Sequence, residues 1–143
     1  MSILTEAQAK AILDKVIAFS TADETSAQLG GGTRGNVRFA RNDISTSGIV
    51  GDVELGVQVA FGKRVGTASI NQFDDASLER AVRRAEDLAK LAPENPEYMP
   101  LVGKQSYVAT DTYSEATAAL TAEARAKIAE ASILPCRERG LIA

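Results

Sequence analysis

The sequence predicts an α+β fold, a mainly antiparallel sheet of about four strands backed by two to three helices. Three observations carry that prediction. Residues 52–61 alternate strictly between apolar and polar or small side chains, and a Gly-Lys pair follows them. Residues 75–91 carry an apolar stripe of helical period. The strand patterns sit together between helices instead of alternating with them, which separates α+β from a parallel α/β sheet.

The first helix is predicted over 5–19. Thr5 is a good N-cap and Gln8 completes a capping box. Ala9, Ile12, Leu13, Val16 and Ile17 share one face, and Ser20 to Asp23 ends the helix. Thr25, Ala27 and Leu29 suggest a short strand, which Gly30 to Gly35 is expected to break. Val37 and Phe39 alternate with Asn36, Arg38 and Arg41 in a second strand, and Asn42-Asp43 reads as a turn. Ile44 to Gly48 is a weak strand, polar on both faces and suited to an edge.

In the strand 52–61, Val53, Leu55, Val57, Val59 and Phe61 point one way. Gly62-Lys63, with glycine first, is the composition of a type II′ hairpin turn, and Arg64 to Ile70 returns as the partner. Gly66, Ala68 and Ser69 are small, so some other element is expected to pack close against this backbone. Asp74 or Asp75 caps the helix 75–91, whose stripe is Leu78, Ala81, Val82, Ala85, Leu88 and Ala89. Glu79–Arg83 and Glu86–Lys90 are i,i+4 pairs in the favourable order.

Pro93, Pro96 and Pro100 forbid further helix, which leaves 92–104 as an ordered or semi-extended loop. Gln105 to Ala109 reads as one more short strand. Residues 117–134 form an alanine-rich helix that can start afresh at Thr121, and Pro135 is expected to kink or end it. Arg137 to Gly140 has the look of a helix end, and Leu141 to Ala143 that of an element cut short. Residues 1–143 thus read as a single domain truncated at its C-terminal end.

Composition narrows the chemistry. The chain has no histidine and one cysteine, Cys136, so it holds no Ser–His or Cys–His couple, no internal disulfide and no His-ligated metal. A formal charge of −3 and few aromatics argue against nucleic acid as a partner. No leader and no long apolar run appears, and the single thiol suits a reducing compartment, so a cytoplasmic location is expected and a membrane is not.

Four features invite a chemical reading. Gly30, Gly32 and Gly35 satisfy G-x-G-x-x-G, but the segment after them has strand periodicity where dinucleotide binding needs a helix. Arg34, Arg38 and Arg41 could hold a carboxylate or phosphate, although solvated edge charges are the simpler account. Asp74 and Asp75 are paired acids at a helix start, where capping is the simpler account. Cys136 lacks a histidine to activate it and reads as structural. No catalytic, cofactor-binding or metal-binding residue is assigned.

A resemblance adds to this. Asn36-Val-Arg-Phe-Ala-Arg-Asn42 with Ser45-Thr-Ser-Gly48, Phe61-Gly-Lys-Arg-Val-Gly-Thr-Ala-Ser69, Asp74-Asp-Ala-Ser-Leu78 with Ala81, Ala85 and Ala89, and Leu91-Ala-Pro-Glu-Asn-Pro-Glu-Tyr98 stand in consecutive order. Together they resemble the N-terminal region of the TldD/PmbA family, described as modulators of DNA gyrase and as microcin-processing zinc metallopeptidases. The resemblance implies a cytoplasmic homo- or heterodimer acting on unfolded or flexible peptides. Its zinc would lie in a later region, on an H-E-x-x-x-H helix with a further Cys ligand, where hydrolysis is metal-assisted. It implies that this front portion walls the substrate cleft or a subunit interface beside a C-terminal domain; separately, the polar pattern of 44–48 suggests an edge that could take a peptide by strand addition. The alternative is a stand-alone, non-enzymatic binding module or an inactive partner subunit.

Overall fold

The computed structural model describes residues 4–143. The element order is α1 (Glu6–Phe19), β1 (Glu24–Ala40), β2 (Asp43–Phe61), β3 (Arg64–Ile70), α2 (Asp75–Leu91), α3 (Glu115–Ala118) and α4 (Ala122–Glu138). One three-stranded sheet has the order β1-β2-β3. The described residues therefore form an α+β fold, with three strands where about four were expected and four helices where two to three were expected.

The difference lies in two mergers. The glycine run Gly30–Gly35 does not break the chain but lies inside β1. Ile44–Gly48 and Asp52–Phe61 are one continuous strand, β2. Glycine in an extended ladder costs conformational entropy, yet its backbone groups pair like any others. At Gly31 it is also required. The residue sits at φ 151°, and a Cβ there would lie 2.3 Å from the Asp52 carbonyl oxygen and 2.6 Å from Val53 Cα.

The turns are tight. Arg41 and Asn42, not Asn42-Asp43, connect β1 to β2, both with positive φ (55° and 65°), the pattern of a type I′ hairpin. Gly62 alone is positive in the β2–β3 turn (φ 56°), as type II′ requires. The β2–β3 ladder is antiparallel, with Phe61 opposite Arg64 and Leu55 opposite Ile70.

The chain divides into two compact units. The first comprises the chain up to Gly32 with Asp52–Gln105, the second Thr33–Gly51 with Ser106–Ala143. In the first, Leu55, Val57 and Val59 of β2 form a buried cluster with Val16 of α1 and Leu78, Val82, Ala85 and Ala89 of α2. Burying each of the larger aliphatic side chains gives about 1.5–3 kcal/mol. The capping box at Thr5–Gln8 is formed, and Asp74 caps α2 by accepting from the Ser77 amide at 3.0 Å.

Gly66 on β3 meets α2 backbone to backbone. A Cβ at that position would stand 2.1 Å from the Ala85 carbonyl oxygen and 2.4 Å from the Ala89 amide nitrogen. The small residues expected to admit a close neighbour do so, and the neighbour is the alanine seam of α2.

Glu86 departs from expectation. It is 2% exposed instead of pairing with Lys90 on the surface. Its carboxylate accepts from the Thr21 amide at 2.6 Å, the Thr21 hydroxyl at 3.0 Å and the Arg83 guanidinium at 2.7 Å. Burial pushes its pKa up, but the Thr21 amide, the Arg83 guanidinium and the Thr21 hydroxyl outweigh that and hold it below the ordinary value. The carboxylate thereby ties the α1–β1 connection to α2. Lys90 instead stands 3.9 Å from Asp87, while the expected Glu79–Arg83 pair is present at 3.7 Å.

The loop after α2 is held at named points. The Asn95 amide donates to the Lys63 carbonyl at 2.9 Å. Glu24 on β1 accepts from the Tyr98 hydroxyl at 2.5 Å and the Leu101 amide at 3.2 Å. Residues 105–109 do not form the expected strand.

In the second unit α4 starts at the Thr121 cap, whose hydroxyl accepts from the Ala124 amide at 3.1 Å. It runs through Pro135 to Glu138. Proline removes one helical donor, and so near the helix end the loss is small beside the capping that follows. The Leu141 amide donates to the Cys136 carbonyl at 2.8 Å and the Gly140 amide to Arg137 at 3.2 Å, with Gly140 at φ 68°. This is a complete Schellman motif, the helix end anticipated for Arg137–Gly140.

Gly66→Ala forces α2 off the sheet and should cost about 3 kcal/mol, read as a lowered urea midpoint. Glu86→Ala should cost about 3 kcal/mol at neutral pH by stranding Arg83 and the Thr21 amide. Because the folded-state pKa of Glu86 is depressed, its contribution is present above its ordinary value of 4.5 and is lost as pH falls through the lower folded value. Glu86→Gln should therefore flatten the acid limb of stability in that window, and an unchanged limb would contradict this account of the group.

Candidate functional site

The residues with the clearest chemical motifs turn out to be structural. Gly30, Gly32 and Gly35 lie along β1, which ends in a hairpin turn, so no helix N-terminus follows to face a pyrophosphate. Gly35 has another task. The Arg125 guanidinium of α4 lies where a Cβ would be, with Nη1 2.5 Å from that position, and Nη1 donates to the Leu120 carbonyl at 2.7 Å. Arg34 and Arg38 are exposed on β1, and Arg41 occupies the hairpin turn.

Asp74 and Asp75 part company. Asp74 caps α2, and the Ser77 side-chain and backbone contacts hold its carboxyl below the ordinary value. Asp75 pairs with Lys15 of α1 at 2.6 Å. Neither faces the other as an acid–base couple would. Cys136 is half-buried in the last turns of α4, where its carbonyl serves the helix end.

The donor set does not suit a zinc ion. The chain has no histidine and one cysteine, and among the described residues no three Cys, Asp or Glu side chains converge. Among them, too, no helix is long and apolar enough to cross a membrane.

Each unit carries a concavity lined by described residues. In the second, a pocket of about 330 Å³ lies among Asp43, Ile44, Lys127, Glu130, Ile133 and Arg137. Its charges largely compensate one another: Lys127 pairs with Glu123 at 2.8 Å and Arg137 with Asp43 at 3.8 Å. Beside it, Asn42 grips the chain end. Its side chain donates to the Leu141 carbonyl at 2.9 Å and accepts from the Ala143 amide at 2.9 Å. Its own carbonyl accepts from Arg137 at 2.6 Å.

In the first unit an open groove of about 840 Å³ runs between β3 and the outer flank of α2. Ala68 and Ile70 line one wall, and Arg80, Arg84, Leu88 and Leu91 the other. Leu88 is 45% exposed and Leu91 84%, although the helical stripe anticipated Leu88 in the core. The buried face takes in Ser77 and Glu86 in place of Leu88, with Glu86 at the inner position four residues after Val82. That spacing was the available signal for Glu86, masked by its charge. No comparable signal marked Arg125.

Residues 27–89 match the family model described as PmbA/TldA metallopeptidase domain 1. Most of the segments that carry the resemblance lie within that span, and Leu91–Tyr98 lies just beyond it. No curated protein sequence matches the chain. Among solved structures, TldE from Thermococcus kodakarensis is similar, with a TM-score of 0.74 at 15% identity over 92% of this chain and 29% of that one. A protein provisionally described as a modulator of DNA gyrase from Bacteroides thetaiotaomicron has a TM-score of 0.70 at 13% identity, over 90% of this chain and 30% of that one. A protein so described from Thermotoga maritima has 0.63 at 18%, over 85% and 28%. These likenesses establish a shared fold, and the chain spans roughly three-tenths of the length of each structure.

Asn42→Ala removes both side-chain bonds to 141–143 and leaves a β-carbon residue without amide chemistry at positive φ. Amide hydrogen exchange at Ala143 should rise to the rate of unstructured chain, while amides of the β2–β3 ladder stay protected.

Proposed function

We propose that the chain, whose residues 27–89 match the PmbA/TldA metallopeptidase domain 1 model, is the N-terminal, non-catalytic portion of a TldD/PmbA-like zinc metallopeptidase. Its part is to wall the substrate cleft or a subunit interface for an enzyme acting on unfolded or flexible peptides. The observation that carries this reading is the pairing of fold and extent. The chain superposes along nine-tenths of its length on about three-tenths of the TldE structure, while holding no histidine for a hydrolytic metal.

Zinc then belongs to a later region of the polypeptide, on an H-E-x-x-x-H helix. The partners are that C-terminal region, a homologous subunit and peptide substrates, with neither membrane nor nucleic acid among them. The single half-buried thiol supports a cytoplasmic setting.

The test begins with the coding sequence beyond Ala143, where an H-E-x-x-x-H segment is expected. The polypeptide extended through it should bind stoichiometric zinc and cleave an unstructured peptide. Residues 1–143 alone should bind none and cleave nothing. Stoichiometric zinc on the 143-residue chain, or zinc-independent cleavage by it, overturns the reading.

A further inference from the structure

The groove beside β3 combines an open strand edge with a helix flank that has chemistry to offer it. β3 is the terminal strand of the sheet, and among the described residues no further strand pairs with it. A strand edge presents alternating amide donors and carbonyl acceptors that another extended chain can use. Only seven residues long, the edge suits one short segment.

The flank of α2 above that edge is ordered in charge and polarity. Arg80, Arg84 and Leu88 recur every four residues and so form one row, with Leu91 continuing it. Successive members rise by about 6 Å. Alternate residues of a strand advance by about 6.6 Å, so three alternate side chains of a docked strand can meet three members of the row.

The charges on this flank are not mutually cancelled. Glu79 is engaged by Arg83 at 3.7 Å, and Asp87 stands 3.9 Å from Lys90. Arg80 donates to the Ser77 hydroxyl at 2.7 Å, a neutral partner, and among the described residues Arg84 makes no ion pair. Two guanidinium groups therefore offer their charge to the groove, followed by two exposed leucines.

Direction follows from the link. Residues 71–74 join Ile70 to Asp75, and Gly66 touches Ala85 and Ala89, so α2 runs back along β3. The arginines lie toward the Ile70 end and the leucines toward the Arg64 end. A strand antiparallel to β3 enters at the Ile70 end and meets arginine, arginine and leucine in that order.

We propose that the edge of β3 beneath the Arg80–Arg84–Leu88 row binds an extended peptide segment as a fourth, antiparallel strand with the order acid–x–acid–x–apolar. Main-chain bonds to β3 hold the segment, carboxylates meet the two guanidinium groups, and an aliphatic side chain covers Leu88 and Leu91. This inference goes beyond the peptidase reading and does not require a catalytic region.

The test uses the whole 143-residue chain and a fluorescein-labelled peptide, Thr-Thr-Glu-Thr-Glu-Thr-Val-Thr-Thr, in an anisotropy titration. Saturable binding is expected, weakened about tenfold when the order is reversed to Val-Thr-Glu-Thr-Glu or when lysine replaces the glutamates. Arg84→Glu should lose about tenfold for the glutamate peptide and regain binding for the lysine peptide. Arg84→Ala serves the same comparison if the reversal disturbs folding, checked by circular dichroism. Added peptide should slow amide exchange within Arg64–Ile70. Absence of saturable binding, equal affinity for the reversed peptide, or no added protection of β3 overturns the proposal. So does a dimer by light scattering in which Arg64–Ile70 is already protected from exchange without peptide. Any of these results leaves zinc binding and hydrolysis by the extended polypeptide as a separate question.

Discussion

The first unit depends on one close approach. Gly66 lets the Ala85–Ala89 turn of α2 rest directly on the β3 backbone. With no Cβ between them, the helix descends far enough for Leu78, Val82 and Ala85 to reach Leu55, Val57 and Val59. Dispersion falls off steeply with separation, so a helix held even one methyl group away would forfeit much of that contact. The alanines of α2 serve the same geometry from the other side, which accounts for a core so poor in aromatics.

Glu86 is the polar counterpart of that packing. A buried carboxylate is costly unless its oxygens are satisfied. Here the Thr21 amide and hydroxyl and the Arg83 guanidinium satisfy it. It links the turn after α1 to the middle of α2, so the second helix is fixed by a glycine seat on one side and a carboxylate tie on another. Glu24 does the same for the proline-bearing loop, where Tyr98 and Leu101 converge on one carboxylate. The hydrogen bond to that carboxylate raises the Tyr98 hydroxyl above its ordinary pKa, which keeps it a donor.

The glycines of β1 show how one composition serves opposite geometries. In isolation Gly30 to Gly35 looks like a phosphate-cradling loop or a flexible break. In the folded chain Gly31 lets β2 come close, and Gly35 makes room for the Arg125 guanidinium. Both are answers to a neighbour distant in sequence. The arginines and aspartates that looked like reagents likewise serve as turn, edge and cap.

Local pattern alone determined the helices α1 and α2 with their caps, the β2–β3 hairpin with its glycine-first turn, the restart at Thr121 and the helix end at Gly140. Each rests on contacts within a few residues or on a strict period. Tertiary structure decided the number of strands, because pairing partners and not composition make Gly30–Gly35 and Ile44–Gly48 extended. It decided that Pro135 stays within a helix, that Gln105–Ala109 is not a strand, that Glu86 turns inward and that Leu88 turns outward. The last two share one cause. Period places a residue on a face to within a fraction of a turn, whereas the elements packed against the helix decide its flanks: Thr21 receives Glu86, and Leu88 stays 45% exposed.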